Sequence, residues 1–470
     1  MTATAPTSQL APPASITTDL VRRLSAMVVS SSGERAAATH VFSGEPLAQM
    51  PLSSTSDVTK AVAAARAAQP AWAARPARER AQVLRRFAEL VHDEQQLLTD
   101  LIQAETGKAR LHAFLEQMDP VLTATYYARK AAKLLRPRRR AGMLPGTVAA
   151  CELRTPKGVV GIISPWNFPF ALGLTDALSA LVAGNSVVLK PDTQTSLSPL
   201  YGVELLRRAG LPADVFQVVL GDGPVVGRAV VDQSDYVSFT GSSKTGQDVA
   251  QRSGARLVGC SLELGGKNPM LVLDDANLSR AVASAVNGCF NNAGQLCVSI
   301  ERIYVQDRVH DEFLSRFVKA VSAMRVGASY RDLGFDMGSL TSQRQLEAVD
   351  KHVDDARAKG AQVHVGGKRR PDLGPYFYEP TVLTGVTPEM TCHTQETFGP
   401  VVAVYRVADE AEAIARANAS EYGLNASVFT SDPSRGRRVG AAVRAGTVNV
   451  NDSFMTSYGS IDAPMGGVGA

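Results

Sequence analysis

The chain has few of the residues that mark several common functions. Its 470 residues hold only five cysteines and seven histidines. The cysteines stand apart at positions 151, 260, 289, 297 and 392, and none forms a CxxC pair. An odd, scattered set of thiols argues against a disulfide framework and fits a reducing, cytoplasmic compartment. There is no HExxH and no Cys/His ligand spacing, so no metal is expected. No apolar run reaches the ~18–20 residues of a membrane span, so no membrane association is expected. Charge of one sign is also missing. Lys and Arg number 49 against 45 Asp and Glu, a net charge of +4. That excess does not suggest nucleic acid as a partner. Residues 1–16 are rich in Ala, Thr, Pro and Ser and lack the basic start and apolar core of a signal peptide. A disordered or loosely docked tail is expected there.

What is present describes an ordinary globular protein: 45% hydrophobic and 20% charged residues, with chain enough for two or three domains. From Ser56 to about Lys133 the apolar period is helical. Ala61, Ala64, Ala65 and Ala68 recur at one spacing, then Val83, Phe87, Leu90 and Val91. The basic run Arg136-Pro137-Arg138-Arg139-Arg140 reads as a solvated turn. From residue 159 strands and helices alternate. Strands are expected at 159–163, 186–190, 215–219 and 236–239, and helices at 171–183, 197–209 and 225–231. This rhythm predicts an α/β protein with a doubly wound parallel sheet. Such sheets bind ligands beyond the carboxyl ends of their strands, so the turns after the strands should carry the chemistry. A second α/β stretch begins near Glu263, with strands at 270–273, 302–305, 401–405 and 447–450.

Cys297, in the small turn Gly294-Gln295-Leu296-Cys297, is a candidate nucleophile. Glu263, in Glu263-Leu264-Gly265-Gly266-Lys267, is a candidate base. Asn167, in Pro165-Trp166-Asn167-Phe168-Pro169, carries an amide able to donate to an oxyanion. Lys190 follows the second strand and can reach a ribose or phosphate. Phe239-Thr240-Gly241-Ser242 follows a strand and opens a helix, where N–H groups and the Ser242 hydroxyl can hold a phosphate. Gly221 to Gly227 is a weak variant of a dinucleotide fingerprint.

Together these motifs resemble the aldehyde dehydrogenase superfamily: PWNFP at 165–169, KP at 190–191, FTGS at 239–242, ELGGKNP at 263–269, GQLC at 294–297 and ETFGP at 396–400. They stand in the family's order over nearly the whole chain from about residue 40. The resemblance implies a Rossmann-type cofactor domain, an α/β catalytic domain and a small β oligomerisation arm. It implies that Cys297 adds to an aldehyde carbon, with Asn167 and the Cys297 N–H holding the oxyanion. Hydride then passes to a nicotinamide, and Glu263 activates water against the thioester. Cofactor contacts are implied for Ser164, Trp166, Lys190, Thr193, Gly241, Ser242, Leu264, Glu396 and Phe398. Lys190 and Glu396 match ribose-binding positions, Ser242 a pyrophosphate position, and Phe398 one beside the nicotinamide.

The pattern looks most like the succinate-semialdehyde dehydrogenase branch. That branch commonly has arginines eight residues after the PWNFP asparagine and five before the nucleophile, where this chain has Thr175 and Asn292. Arg302 is the candidate replacement cation. A second cysteine two after the nucleophile is also common there, and here it is Ser299. Thr193 stands where NAD-preferring members often have glutamate, so NADP is the expected cofactor and NAD the second choice. The expected division is a cofactor domain at 17–135 and 156–262, a catalytic domain at 263–445, and an arm at 136–155 and 446–470. The arm's C-terminal part looks truncated by family comparison, and a homodimer or homotetramer is expected if that segment is present. The expected reaction is oxidation of succinate semialdehyde. The alternatives are a neutral aliphatic or aromatic aldehyde, or a non-catalytic relative, against which the retention of Cys297, Glu263 and Asn167 argues.

Overall fold

The computed structural model describes residues 11–144 and 146–468. The expected tail lies mostly outside these residues. Its last part is docked: Ser15 Oγ donates to Asp100 at 2.6 Å, and Ile16 packs on the core. Helices then dominate to residue 134, with a hairpin inserted between the first two. Its strands are β1 (Arg35–Thr39) and β2 (Pro46–Pro51), antiparallel. Alanine-rich β1 carries no β-branched run, so its sequence gives no strand signal. The helix Thr55–Ala73 starts with a capping box, in which Ser54 Oγ accepts from Asp57 N and the Asp57 carboxylate accepts from Ser54 N. Trp72 and Phe87 are fully buried where these helices pack.

The basic run is not a turn. Arg138–Arg140 forms β3, antiparallel to β4 (Ala150–Glu152). Arg140 Nε donates to Glu152 at 2.8 Å, and this cross-strand pair offsets the repulsion along the run.

Five parallel strands make the first sheet: β5 (Val159–Ile163), β6 (Ser186–Lys190), β7 (Phe216–Val218), β8 (Tyr236–Thr240) and β9 (Gly259–Glu263). Their order is β7-β6-β5-β8-β9, so the order reverses at β5. β6 is buried on both faces, which explains its unbroken apolar run. Asn167 and Ser242 follow β5 and β8, Lys190 and Glu263 are the last residues of β6 and β9, and all four stand at the same edge of the sheet.

The second sheet has seven strands: β10 (Asn268–Val272), β11 (Ile300–Gln306), β12 (Gln362–Val365), β13 (Thr381–Thr384), β14 (Val401–Val407), β15 (Asn425–Phe429) and β16 (Thr447–Val450). Their order is β12-β13-β14-β11-β10-β15-β16, and all neighbours are parallel except β12 and β13. Here the motifs precede the strands: Lys267 leads into β10, Cys297 into β11 and Glu396 into β14. The candidate residues thus lie at or after strand ends in the first sheet and before the strands in the second. One boundary also needs correction. Residues 447–450 do not belong to an arm. As β16 they pair with β15, Asn425 opposite Thr447, and close the edge of this sheet. No helix among the described residues is long and apolar enough to cross a membrane.

Candidate active site

The turn before Cys297 is left-handed. Asn292, Ala293 and Gly294 have φ of 51°, 55° and 71°. For Ala293 this conformation costs about 1–2 kcal/mol. Glycine is required at 294 on a second count, because a Cβ there would overlap the Gly399 carbonyl. Gln295 is fully buried and locks the turn. Its Nε2 donates to Asn292 O at 3.1 Å and its Oε1 accepts from Thr341 N at 3.0 Å. Beyond the cysteine, Asn268 Nδ2 donates to both Cys297 O and Ser299 O at 2.7 Å. Ser299, where a second cysteine is absent, donates through Oγ to Gly288 O at 3.2 Å. The backbone of Cys297 is thus held from both sides.

Asn167 reaches this turn from the other sheet. Its Nδ2 donates to Gln295 O at 3.0 Å, two residues before Cys297. An amide nitrogen carries two N–H groups, so one anchors the side chain and the other stays available. Asn292 Nδ2 donates to Asn167 O at 3.2 Å and to Gln295 O at 3.0 Å.

The thiol of Cys297 is pushed up to about 12. Burial is the main cause, and the Glu396 and Glu263 charges add to it, while backbone N–H groups act in the opposite direction. Near neutral pH the group is held as a thiol, so its proton must leave as the sulfur forms a bond. The Glu263 carboxyl is itself raised, by burial and then by the charge of Asp176. Burial, with the Glu301 charge, pushes Glu396 up to about 8.

The glycines of ELGGKNP have a steric explanation. Gly265 lies so close to the Glu396 carboxylate that a Cβ would overlap it, and at Gly266 a Cβ would lie 2.5 Å from Cys297 O. Gly266 N donates to Glu396 Oε1 at 2.8 Å. Lys267 forms a buried ion pair with Glu301. The same carboxylate accepts from Thr397 N at 3.0 Å and Phe398 N at 2.9 Å. This holds Phe398 at φ 50° and sets the direction of Glu396.

The remaining cofactor candidates lie along the carboxyl edge of the first sheet. Ser164 Oγ is buried without a partner among the described residues. Lys190 is buried, its Nζ donates among the described residues only to Pro191 O, and burial lowers its pKa. Asp192 turns away into its own loop and accepts from Gln194 N at 2.9 Å. Ser242 caps the helix Ser243–Ala255 through Thr245 N. At Gly241 a Cβ would lie 2.6 Å from the Phe239 ring, and Leu264 packs against Gly246 of the capped helix. An orphaned hydroxyl, a buried lysine with spare N–H donors and a helix start on one edge suit a dinucleotide. Among the described residues no group of three or more His, Cys, Asp or Glu side chains can hold a metal.

The substrate candidates are not brought together. Thr175 lies on the helix Pro169–Val182 beside Asp176. Asn292 is buried in the turn under Asn167. Arg302 faces away, in a correction to its expected role: its guanidinium donates to Lys267 O, Arg416 O and Ala417 O and to the Tyr304 hydroxyl. A cation engaged by buried carbonyls is not free for a carboxylate. Acids stand near the site instead. Asp176 accepts from Ser238 Oγ at 2.6 Å, and its charge acts on both Glu263 and Asp119. Tyr458, Leu296 and Cys297 all pack on the cluster of Val298, Leu424 and Phe454, and the Asp119 charge acts on Tyr458.

Sequence reasoning missed Asn268, Gln295, Glu301 and Asp176. The first two lie inside quoted motifs, and Glu301 is four residues after the nucleophile, so position was the available signal. Asp176 had none.

Residues 28–470 match the model of the aldehyde dehydrogenase family. A Mycobacterium tuberculosis protein, named provisionally as an NADP-dependent succinate-semialdehyde dehydrogenase, is 51% identical over 96% of this chain and 87% of its own length. The succinate-semialdehyde dehydrogenase GabD of Escherichia coli, named for NADP, is 37% identical over 94% of this chain and 90% of its own. A crystal structure described as an E. coli NADP-dependent enzyme superposes with TM-score 0.89 at 36% identity, covering 94% of this chain and 91% of that one.

Proposed function

The chain belongs to the aldehyde dehydrogenase family, and on that premise we propose that it oxidises succinate semialdehyde to succinate with NADP, through a thioester on Cys297. The observation that carries the chemistry is the convergence of Cys297, Asn167 and Glu263 from two sheets onto one clamped turn. As the sulfur of Cys297 adds to the aldehyde carbon, the thiol proton passes to solvent water. The free N–H of Asn167 donates to the oxygen that gains charge. The nicotinamide, when bound, accepts the hydride of the aldehyde C–H. Glu263 then removes a proton from water, which attacks the thioester and frees the acid and Cys297. Lys190, Thr193 and Glu396 would hold the riboses, Ser164, Gly241, Ser242 and Leu264 the rest of the dinucleotide, and Trp166 and Phe398 the nicotinamide end. The substrate and cofactor come from the relatives' names.

A neutral aldehyde of similar length is the second reading. It is favoured by Thr175 and Asn292 in place of cations, by the engaged guanidinium of Arg302, and by Asp119 and Asp176 near the site. The proposal includes a cytoplasmic enzyme that works as a homodimer or homotetramer, with cofactor-binding residues mainly at 17–135 and 156–262 and catalytic ones at 263–445. The test is NADP reduction at 340 nm over a panel of anionic and neutral aldehydes. No reduction with any of them overturns the reading.

A further inference from the structure

Lys108 and Glu116 form an ion pair, with both side chains fully buried. Nothing in the mechanism above uses them. A buried pair of this kind gains little stability over apolar residues of the same volume, so its position matters more than its presence. Glu116 faces the start of the helix Pro169–Val182. Its Oε1 accepts from Phe170 N at 2.9 Å and Ala171 N at 3.2 Å, two of the orphan donors of that helix start. Lys108 Nζ sits 3.4 Å from the centroid of the Phe168 ring. Residues 168, 170 and 171 are thus all gripped by the pair, and Asn167 is the residue immediately before them. On its other side Asn167 is held by Asn292 and Gln295.

We infer that Lys108 and Glu116 are positioning residues for the oxyanion donor Asn167. The pair fixes where the helix begins, and so fixes the reach of the Asn167 amide across to the Cys297 turn. Burial lowers the Lys108 pKa to about 8, and the Glu116 charge opposes that shift. The inference rests on the reading of Asn167 as the donor to the developing oxyanion.

The experiment is single-turnover hydride transfer, with enzyme in excess of succinate semialdehyde and NADP saturating, in a double-mutant cycle. Glu116→Gln is combined with Asn167→Ala. The double variant Lys108→Met with Glu116→Gln, which removes both charges together, serves if the single variant folds poorly. NADP binding by fluorescence reports the fold. A displaced donor can cost up to ~100-fold, so Glu116→Gln is expected to slow hydride transfer at least about tenfold with Asn167 present. It should slow it less than about twofold when Asn167 is already alanine, because the group it positions is gone. NADP affinity should stay unchanged. Equal factors in the two backgrounds, or no slowing in either, overturn the positioning role. If Asn167→Ala alone leaves hydride transfer at the wild-type rate, the oxyanion reading falls and the inference falls with it.

Discussion

Trp166 and Phe398 meet edge to face, with ring centroids 5.4 Å apart and planes at 89°. One ring stands in the loop after β5 and the other in the loop before β14, so the pair joins the two sheets across the site. An aromatic pair of this geometry contributes about 0.5–1.5 kcal/mol beyond its burial. Phe398→Ala should therefore lower kcat/KM for NADP by roughly two- to tenfold while leaving the acylation of Cys297 possible. Steady-state kinetics with varied NADP check this, and an unchanged value would separate the pair from cofactor binding.

Cys297→Ala should abolish aldehyde oxidation and leave NADP binding intact. Fluorescence titration and absorbance at 340 nm on the same sample decide it. Substantial residual turnover would assign the nucleophile elsewhere.

Glu263→Gln should trap an acylated enzyme, visible by intact mass after mixing with aldehyde and NADP. A second outcome follows from pH. The base works as a carboxylate, and its pKa is raised, so activity is lost at a higher pH than for an ordinary glutamate. Burial causes most of that shift and the Asp176 charge adds to it. Asp176→Asn removes the charge, so the acid limb of the kcat/KM profile should move to lower pH. A limb that stays in place would show that Asp176 is neutral during catalysis.

Substrate choice should also depend on pH. Asp119 is pushed up to about 6, by burial first and then by the Asp176 and Glu116 charges. Below that pH it is neutral, and above it the carboxylate repels an anionic substrate. The ratio of kcat/KM for succinate semialdehyde over a neutral aldehyde of the same length should fall as pH rises through about 6. A repulsion of ~1 kcal/mol changes the ratio about fivefold. Asp119→Asn should flatten the slope. A ratio that is flat in the wild type would place Asp119 out of reach of the substrate.

NADP should be preferred over NAD, and Thr193→Glu should shift preference toward NAD. Asp192 accepts from Gln194 N and so is turned into its own loop. The Asp192 and Asp222 charges still act on Lys190, but residue 193 itself adds none. Two unit charges 4 Å apart interact by ~4 kcal/mol at an effective dielectric of 20, and a fraction of that exceeds a tenfold change. Kinetics with both cofactors in both proteins, at fixed ionic strength, decide the matter.

The parallel first sheet was legible because β5 and β6 are buried runs of valine, isoleucine and leucine bounded by turn residues. The second sheet was misread in two respects. Its functional loops precede their strands, and β16 belongs to it, because Thr447–Val450 looks the same to a local reading at a sheet edge or in an arm. The Arg138–Arg140 strand was hidden because its support, Glu152, comes from across a hairpin.

By itself the sequence singled out Cys297, Glu263 and Asn167 as the candidate nucleophile, base and oxyanion donor, and it holds the glycines that let the loops approach one another. These sit in short segments whose residue types and spacing carry the steric requirement directly: Gly266 can only be small because Cys297 O lies against it. Only the tertiary structure decided that Arg302 is engaged by buried carbonyls, that Glu301 aims the 396–398 loop, and that Lys108 and Glu116 hold the helix after Asn167. Each of these depends on a charge meeting a backbone group far away in the chain. No local pattern encodes such a meeting, because the cost of burying the charge is set by whatever the fold brings beside it.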